Sequence, residues 1–248
     1  MKVIIIAAGS GTRLGGNEYK IPKSLLEVNA QTILSRQISI FKKMGIKEIV
    51  VITGPYTEKF PCIDVKYIND ARYDEHDILG SLLVAKDYIQ GDVIIAYSDI
   101  LFDENVLGQL IQHESDIGIA IDMDWKQAYE GRTLHPSIEA ENVLLDANKN
   151  VLKIQKNIRS NDDDVGEFLG LIKLSSYGAK IVTGKFEHLL ANHVETFHNA
   201  LSLKKAYITD FIQELVDSKI VITPIFISGK WCEIDTSQDL ERAQKMFL

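Results

Sequence analysis

Apolar runs rich in valine and isoleucine recur along the first half of the chain. Residues 3–8, 48–53, 92–97 and 117–121 form such runs, and none of them alternates regularly with polar side chains. Continuous apolar runs are typical of strands that are buried on both faces, whereas half-exposed strands alternate. The pattern therefore predicts a sheet that is covered on both sides.

Segments with apolar residues at helical spacing separate these runs. Residues 32–44 and 78–90 have this spacing, and each is followed by a glycine, Gly45 or Gly91, where a helix C-terminal cap is expected. Alternation of strands and helices favours right-handed crossovers and a parallel sheet.

The pattern changes after about residue 125. Residues 140–156 and 168–174 resemble longer, antiparallel strands, with a polar loop at residues 159–164 between them. Residues 206–216 and 237–247 have helical spacing, and Thr236 or Ser237 is the predicted N-cap of the last helix. We expect one α/β domain over residues 1–248: a Rossmann-like, mostly parallel central sheet flanked by helices, with extra antiparallel strands in the second half.

Composition narrows the class of protein. Hydrophobic residues make up 46% of the 248, enough for a proper core, and the formal net charge of -8 argues against nucleic acid as a partner. No stretch approaches the roughly 20 apolar residues of a membrane span. Two cysteines, Cys62 and Cys232, without a CxxC spacing, are typical of free thiols in a reducing compartment. We expect a soluble, cytoplasmic protein, and the sequence leaves open whether it forms a homodimer.

The segment AAGSGTRL, which begins at Ala7, directly follows the first predicted strand and has the composition of a phosphate-binding loop. A dinucleotide fingerprint requires a third small residue, where this chain has Leu14. A P-loop requires Gly-Lys-Ser/Thr, but Asn17 follows Gly16. Both common phosphate motifs are therefore excluded.

With Pro22-Lys23-Ser24-Leu25 further along, this segment resembles the signature of the nucleotidyltransferases that activate sugar phosphates and related small phosphorylated molecules. The resemblance implies that glycine N–H groups approach phosphate oxygens, that Arg13 holds the β- and γ-phosphates, and that Lys23 acts beside the α-phosphate. Pro22 limits the freedom with which Lys23 is presented. The implied nucleotide-binding residues of the loop are Ala7, Ala8, Gly9, Ser10, Gly11 and Thr12.

Three carboxylates are candidates for a magnesium site. Asp99 follows the predicted strand at residues 92–97, at the edge where open parallel sheets bind ligands. Glu233 and Asp235 lie two residues apart near the C-terminus and would share one face of a strand. Magnesium needs few carboxylates besides phosphate and water oxygens. Asp99 could alternatively cap a helix or occupy a turn, and Asp235 could cap the last helix.

Later segments resemble the phosphocholine and phosphonate cytidylyltransferase branch of this family. These segments are AYSDILFDENVLGQLI, IAIDMDW, GEFLGLIKLS, ITDFIQELV and EIDT. Ahead of a helix that begins near a Ser-Leu pair, the branch usually has an asparagine that helps recognise the nucleotide. In this chain Asp77 occupies that position, and Ser81 lies in the helix. An aspartate cannot donate as an amide does, so the preference for CTP is less secure than the reaction type. Asp77 could equally be a helix N-cap.

The second half, about residues 126–248, is expected to bind the acceptor, and the first half, about residues 1–125, the nucleotide. Asp122, Asp124, Trp125 and Tyr129 could surround an ammonium or trimethylammonium group, since carboxylates and aromatic faces both attract cations. The alternative is that Trp125 and Tyr129 are packing residues and the two acids are solvated. Glu167, Asp210 and the six histidines receive no role.

We predict Mg²⁺-dependent transfer of a nucleotidyl group, CMP from CTP, to a small acceptor such as phosphocholine or 2-aminoethylphosphonate, with release of pyrophosphate. A phosphate oxygen is already nucleophilic, so alignment and charge neutralisation suffice. One alternative is a sugar-1-phosphate uridylyl- or thymidylyltransferase, which would share the loop and the acids. The other is a catalytically idle nucleotide-binding regulatory domain, which would be expected to have lost Lys23 or a metal acid.

Overall fold

The computed structural model describes residues 1–9, 21–61, 64–158 and 164–248. Its strands are β1 Lys2–Ala7, β2 Glu27–Val28, β3 Gln31–Thr32, β4 Glu48–Thr53, β5 Lys66–Asn69, β6 Val93–Tyr97, β7 Ile100–Phe102, β8 Ile117–Asp122, β9 Glu141–Leu145, β10 Val151–Lys156, β11 Val165–Leu174, β12 Thr223–Phe226 and β13 Trp231–Glu233. Its α-helices are α1 Ile33–Lys43, α2 Ile78–Val84, α3 Glu104–Gln112, α4 Ser176–Asn192, α5 Ile208–Asp217 and α6 Ser237–Met246.

The central sheet has a parallel part and an antiparallel part. β1 pairs in parallel with β4 on one side and β6 on the other, and β5 extends the parallel part beyond β4. β11 lies antiparallel beside β6, and it also pairs with β8 and β9. The predicted mixed α/β fold, with antiparallel strands in the second half, is confirmed.

Two segments differ in detail from the sequence prediction. The strand at 117–121 does not join the parallel part directly, because β11 lies between it and β6 and pairs with both. The segment at 140–156 folds as the hairpin β9–β10 rather than as one strand. Its turn forms because the Asp146 carboxylate accepts from the N–H groups of Asn148 and Asn150, both at 2.8 Å.

Helix α1 illustrates how the sequence pattern places the helices. Leu34, Ile38 and Phe41 recur at helical spacing and are buried against the sheet. Thr32 caps the N-terminus by accepting from the Ser35 N–H at 3.1 Å, and the chain turns away at Gly45. The helix predicted at 78–90 is shorter: α2 ends at Val84, and a 3-10 turn completes the segment before Gly91. The spacing of apolar residues in the sequence did not predict helices α3 and α4.

Within the described ranges, no helix combines the length and the apolar character that crossing a bilayer requires. The structure describes only one of the two cysteines that were predicted to be free thiols. Cys232 is a buried free thiol, and Cys62 lies outside the described residues.

β11 changes partners at Gly170, and this glycine is required there. Its first residues pair with β9 and its last with β6, and a register shift against β8 falls between Phe168 and Ile172. Gly170 has a φ of +65°, and a Cβ on it would lie 2.5 Å from the ring of Tyr97. The sheet consequently splits at this point, between β6 and the β9–β10 hairpin.

We expect Gly170→Ala to lower the free energy of unfolding by about 3 kcal/mol, because an alanine there combines a positive φ with a clash in a packed region. Urea unfolding followed by circular dichroism measures this loss. Gly184→Ala in α4 is the matched control: a Cβ at that position would meet no heavy atom within 4 Å beyond its own stretch of helix, so alanine should leave stability equal or slightly higher. Equal midpoints for Gly170→Ala and the wild-type chain would contradict this account of the split.

Candidate functional site

The split sheet opens into a cavity of about 510 Å³. The carboxyl ends of β1 and β6 form its floor, which is the edge of a parallel sheet where ligands bind. Residues that line it include Ala8, Gly9, Lys23, His76, Asp77, Ser81, Asp99, His135, Glu167, Trp231, Glu233 and Asp235.

The predicted phosphate loop enters this cavity from β1. Ala7 is the last residue of β1 and is buried, and Ala8 and Gly9 line the cavity. The predicted roles of Ser10, Gly11, Thr12 and Arg13 fall on residues outside the described ranges. The structure therefore places the start of the loop at the cavity floor.

Lys23 returns to the cavity at the start of a short 3-10 turn that follows Pro22. Its Nζ donates to Asp99 Oδ2 at 2.7 Å and also to Asp235 Oδ1. Burial alone would lower the pKa of this lysine, but the carboxylates of Asp99 and Asp235 outweigh it and raise the pKa above its usual value. Lys23 is therefore a charged group that joins two distant carboxylates.

A short antiparallel ladder brings these carboxylates together. β7 directly follows Asp99 and pairs with β13, which ends at Glu233, and the Ile234 N–H donates to the Asp99 carbonyl at 3.0 Å. Asp235 follows immediately. The cap of α6 is Thr236, whose hydroxyl accepts from the Asp239 N–H, so Asp235 does not cap that helix through its side chain.

The chemistry of this group of oxygens fits a divalent cation. Asp99 and Asp235 both reach the same ammonium, and Asp99 Oδ1 is buried without a hydrogen-bond partner among the described residues. Burial and the neighbouring carboxylate of Asp235 raise the pKa of Glu233 to about 7. Convergent carboxylates with an unmatched oxygen are what a hard cation such as Mg²⁺ prefers.

Two basic residues from the segment between β8 and β9 pack against acids in this region. His135 Nδ1 lies 2.9 Å from Asp235 Oδ2. Arg132 Nε donates to Asp239 Oδ1 at 2.8 Å, and its Nη2 lies 3.4 Å from Glu233 Oε2. Burial would raise the pKa of Asp235, but the contacts with His135 and Lys23 outweigh it and hold the pKa well below the usual range. His135, Glu233 and Asp235 can offer ligand atoms within 4.8 Å of one another.

The wall beside the loop carries the predicted nucleotide residues Asp77 and Ser81. Asp77 precedes α2 but its side chain makes no capping bond, and its carboxylate lies at the exposed side of the cavity. Ser81 Oγ donates to the buried Asp70 at 2.8 Å, and the same carboxylate holds His76 Nδ1 at 2.9 Å. Asp77 is thus available to a ligand, while Ser81 is already engaged.

The four predicted acceptor residues are not among the described residues that line the cavity. Trp125 and Tyr129 are buried, Asp122 is half-buried, and Asp124 is exposed. The Tyr129 hydroxyl donates to Glu167 Oε1 at 2.5 Å, and Asp122 Oδ2 accepts from Trp231 Nε1 at 2.7 Å. Trp125 donates its own N–H to the Val165 carbonyl at 2.9 Å.

The Asp124 N–H donates to Asp122 Oδ1 at 2.8 Å. Trp125 and Tyr129 pack edge to face, at 5.6 Å between ring centroids, in a small apolar cluster with Ala140. The two aromatic residues therefore take the packing alternative, and the structure does not bring the four predicted residues together at the cavity surface.

A family comparison agrees with this geometry. The model of the MobA-like NTP transferase domain matches residues 3–160, which is more than half of the chain. The chain belongs to this family of NTP transferase domains. The predicted nucleotidyltransferase resemblance is thereby confirmed.

The curated proteins that resemble this chain include two cytidylyltransferases. The CTP:phosphoglutamine cytidylyltransferase of Campylobacter jejuni is 28% identical over 254 residues, covering 97% of this chain and 98% of that protein. The choline-phosphate cytidylyltransferase of Streptococcus pneumoniae is 35% identical over 107 residues, and the match covers 41% of this chain and 46% of that protein.

A solved structure supports the fold of this NTP transferase domain. The CTP:phosphocholine cytidylyltransferase of Streptococcus pneumoniae superposes with a TM-score of 0.75 at 18% identity, covering 100% of this chain and 99% of that one. At this identity the likeness shows the fold alone.

Sequence reasoning missed several cavity residues. His135 lines the cavity but has no metal-ligand spacing to another histidine. Trp231 also lines it and was not predicted, although it directly precedes Cys232 and Glu233. Arg132, which pairs with Glu233 and Asp239, was not predicted either. The proximity of Trp231 to Glu233 in the chain is the one signal that could have found it. Asp210 also gains a structural role, since its Oδ2 accepts from the Tyr207 N–H at 2.9 Å and caps α5.

Proposed function

We propose that this NTP transferase domain transfers CMP from CTP to a small phosphorylated or phosphonate acceptor and releases pyrophosphate. The convergence of Lys23, Asp99 and Asp235 at the cavity floor carries this proposal. One positive charge, two carboxylates and Gly9, where the predicted phosphate loop begins, all line the same cavity, which supports the proposal.

The reaction needs an in-line displacement. An oxygen of the acceptor phosphate or phosphonate forms a bond to the α-phosphorus of CTP, the bond from that phosphorus to the bridging oxygen breaks, and pyrophosphate leaves with the electron pair. No general base is required, because the attacking oxygen already carries negative charge. The protein's part is to align the two substrates and to neutralise charge.

Lys23 is the residue that we assign to the transferred phosphate. Its ammonium lies at the cavity floor and can turn from the carboxylates to the α-phosphate oxygens, on which negative charge is concentrated during transfer. Asp99 and Asp235 would hold Mg²⁺, with Glu233 beside them. A bound Mg²⁺ neutralises phosphate charge and helps align the acceptor with the nucleotide.

The choice of CTP rests on the relatives, which are named as cytidylyltransferases. It also agrees with Asp77, whose carboxylate does not cap α2, lines the cavity and can accept a hydrogen bond from the amino group of cytosine. The acceptors in the relatives' names, phosphoglutamine and choline phosphate, are small phosphorylated molecules, and the cavity volume suits a ligand of that size together with a nucleotide.

A substrate matrix tests the proposal. CTP, UTP, ATP and dTTP are each combined with phosphocholine, 2-aminoethylphosphonate, phosphoglutamine and glucose 1-phosphate in the presence of Mg²⁺, and pyrophosphate is measured. We expect pyrophosphate with CTP and one or more of the first three acceptors, and none when EDTA replaces Mg²⁺. Turnover confined to glucose 1-phosphate would instead assign a sugar-phosphate transferase, and nucleotide binding without turnover would assign a regulatory domain.

A further inference from the structure

The buried ring of His135 has one nitrogen in a hydrogen bond and one without a partner among the described residues. Its side chain is 6% exposed, and Nδ1 lies 2.9 Å from Asp235 Oδ2. Because an ionised carboxylate can only accept, Nδ1 carries the proton of this bond. Nε2 is buried and has no hydrogen-bond partner in the part of the chain that the structure describes. An unmatched buried nitrogen is costly, so it points to a group that binds it.

The group that Nε2 faces is the carboxylate of Glu233, whose Oε2 lies 3.4 Å away. In the neutral ring with its proton on Nδ1, Nε2 carries a lone pair, so two electron-rich atoms face each other. A shared cation would turn this repulsion into attraction. Two ligand atoms that each lie about 2.1 Å from one tetrahedral ion are roughly 3.4 Å apart. The observed spacing therefore suits a divalent cation held by both side chains.

The surroundings of this pair resemble those of metal-binding histidines in general. A histidine that binds a metal through one nitrogen usually donates its other N–H to a carboxylate, which fixes the tautomer, and Asp235 is in that position. Although Nε2 is enclosed, Glu233 is 24% exposed and lines the cavity with His135. An ion can consequently reach the pair from the cavity, on the side of Glu233.

The two ligands are fixed relative to each other by the first turn of α6. Gln238 Oε1 accepts from the Thr133 N–H at 2.9 Å, and Gln238 Nε2 donates to the Gly131 carbonyl at 2.9 Å. These bonds fasten the segment before His135 to the helix that follows Glu233 in the chain. Ligands held in place before the ion arrives lose little freedom when it binds.

Arg132 is a second basic side chain near this carboxylate. Its Nη2 lies 3.4 Å from Glu233 Oε2, but its Nε makes the shorter contact, 2.8 Å, with Asp239. The ion pairs that join Glu233 to described residues all use Oε2, so Oε1 is a further oxygen for an ion. Arg132 has donors only, so it cannot satisfy the lone pair on Nε2 without adding charge beside it.

We propose that His135 Nε2 and Glu233 bind an imidazole-preferring divalent cation of the Zn²⁺ type, at a site separate from the Mg²⁺ site proposed above. Imidazole suits Zn²⁺, whereas Mg²⁺ and Mn²⁺ favour oxygen ligands, so the two sites select different ions. With two protein ligands, the remaining coordination positions are open to water or to a phosphate oxygen in the cavity. The ion needs no nucleotide to bind, and the inference does not depend on CMP transfer.

Co²⁺, a spectroscopic substitute for Zn²⁺, tests this site in the full chain without nucleotide. Millimolar Mg²⁺ is present to occupy the oxygen site, isothermal titration calorimetry measures the binding of Co²⁺, and proton NMR records the paramagnetically shifted signals. We expect one equivalent to bind and one strongly shifted proton that disappears in D₂O. That proton is the Nδ1–H of His135, which stays on the ring when Nε2 holds the ion.

His135→Asn separates metal binding from the positioning of Asp235. The asparagine amide can still donate to Asp235 from the place of Nδ1, but no atom replaces Nε2. We expect Co²⁺ binding to weaken about tenfold or more and the shifted proton to vanish, while the circular dichroism spectrum stays that of a folded chain. His76→Asn is the matched control, because His76 also lines the cavity and has its Nδ1 on a carboxylate, that of Asp70. It should keep both signals.

Asp99→Asn separates this site from the proposed Mg²⁺ site. That variant should keep the Co²⁺ affinity and the shifted proton even if CMP transfer is lost, so the two proposals can fail separately. The inference is overturned if the wild-type chain binds no Co²⁺ beside Mg²⁺ or shows no exchangeable shifted proton. A folded His135→Asn chain that retains both signals overturns it as well. Equal loss of Co²⁺ affinity in Asp99→Asn and His135→Asn also does so, because one shared ion would then account for both.

Discussion

Lys23→Ala is expected to lower turnover by about a thousandfold, the effect of removing a fixed positive group from a site of charge development. The Lys23 ammonium contacts Asp99 and Asp235 at the cavity floor, so it is held where the proposed reaction requires a positive charge. Pyrophosphate release under saturating CTP and acceptor measures the loss. A variant with wild-type turnover would refute the role assigned to this lysine.

The same substitution has a second expected effect, on stability. Without Lys23, the carboxylates of Asp99 and Asp235 face each other with no cation between them, so the metal-free variant should melt several degrees below the wild type. Millimolar Mg²⁺ should restore most of that loss without restoring turnover. Lys43→Ala is the matched control, since Lys43 is 66% exposed and pairs with Glu104 on the surface; neither turnover nor melting should change.

Asp235→Asn is expected to lower turnover by a similar factor, about a hundredfold to a thousandfold, because it removes the carboxylate on which the proposed cation site and Lys23 both depend. Asparagine keeps the shape of the side chain and can still contact His135 and Lys23, so loss of charge, not of packing, is tested. The variant should also bind Mn²⁺, a paramagnetic substitute for Mg²⁺, more weakly in electron paramagnetic resonance titrations.

Asp99→Asn should behave alike, since its carboxylate contacts the same ammonium. Asp87→Asn serves as the control, because that carboxylate is 81% exposed and pairs with Lys86. Unchanged Mn²⁺ affinity in both Asp99→Asn and Asp235→Asn would show that these acids do not hold the cation, even if turnover fell.

The parallel half of the fold could be predicted because its information is local. Three of its four strands, β1, β4 and β6, are continuous apolar runs, helices α1 and α2 have apolar residues at helical spacing, and Gly45 and Gly91 follow these segments with positive φ. The fourth strand, β5, is half polar and was not predicted. The order of strands could not be predicted in the same way. β11 pairs with β6, β8 and β9, and the conformation of Gly170, which permits this exchange, has no signature in the flanking residues.

In the candidate site, too, the residues with a local sequence signal could be predicted, and those placed by long-range packing could not. Asp99 follows a strand end, and Glu233 and Asp235 are two residues apart, so motif and strand geometry predicted that they lie together, and the structure places all three around one cavity. Asp122 and Tyr129 were expected at the cavity surface, yet the structure places them behind Trp231 and Glu167. An aromatic and acidic segment indicates that residues able to bind a cation lie near the cavity, but it does not indicate which side chains face the ligand.

The sequence by itself determined the class of sheet, and it singled out Lys23, Asp99, Glu233 and Asp235, which the structure places around one cavity. These follow from contiguous patterns, in which local propensity and spacing act within a few residues. Only the tertiary structure decided that His135 contacts Asp235 and that Glu167 lines the cavity with one oxygen that has no hydrogen-bond partner among the described residues. Both depend on burial and pairing between strands far apart in the chain, and no local pattern records which distant residue will be the neighbour.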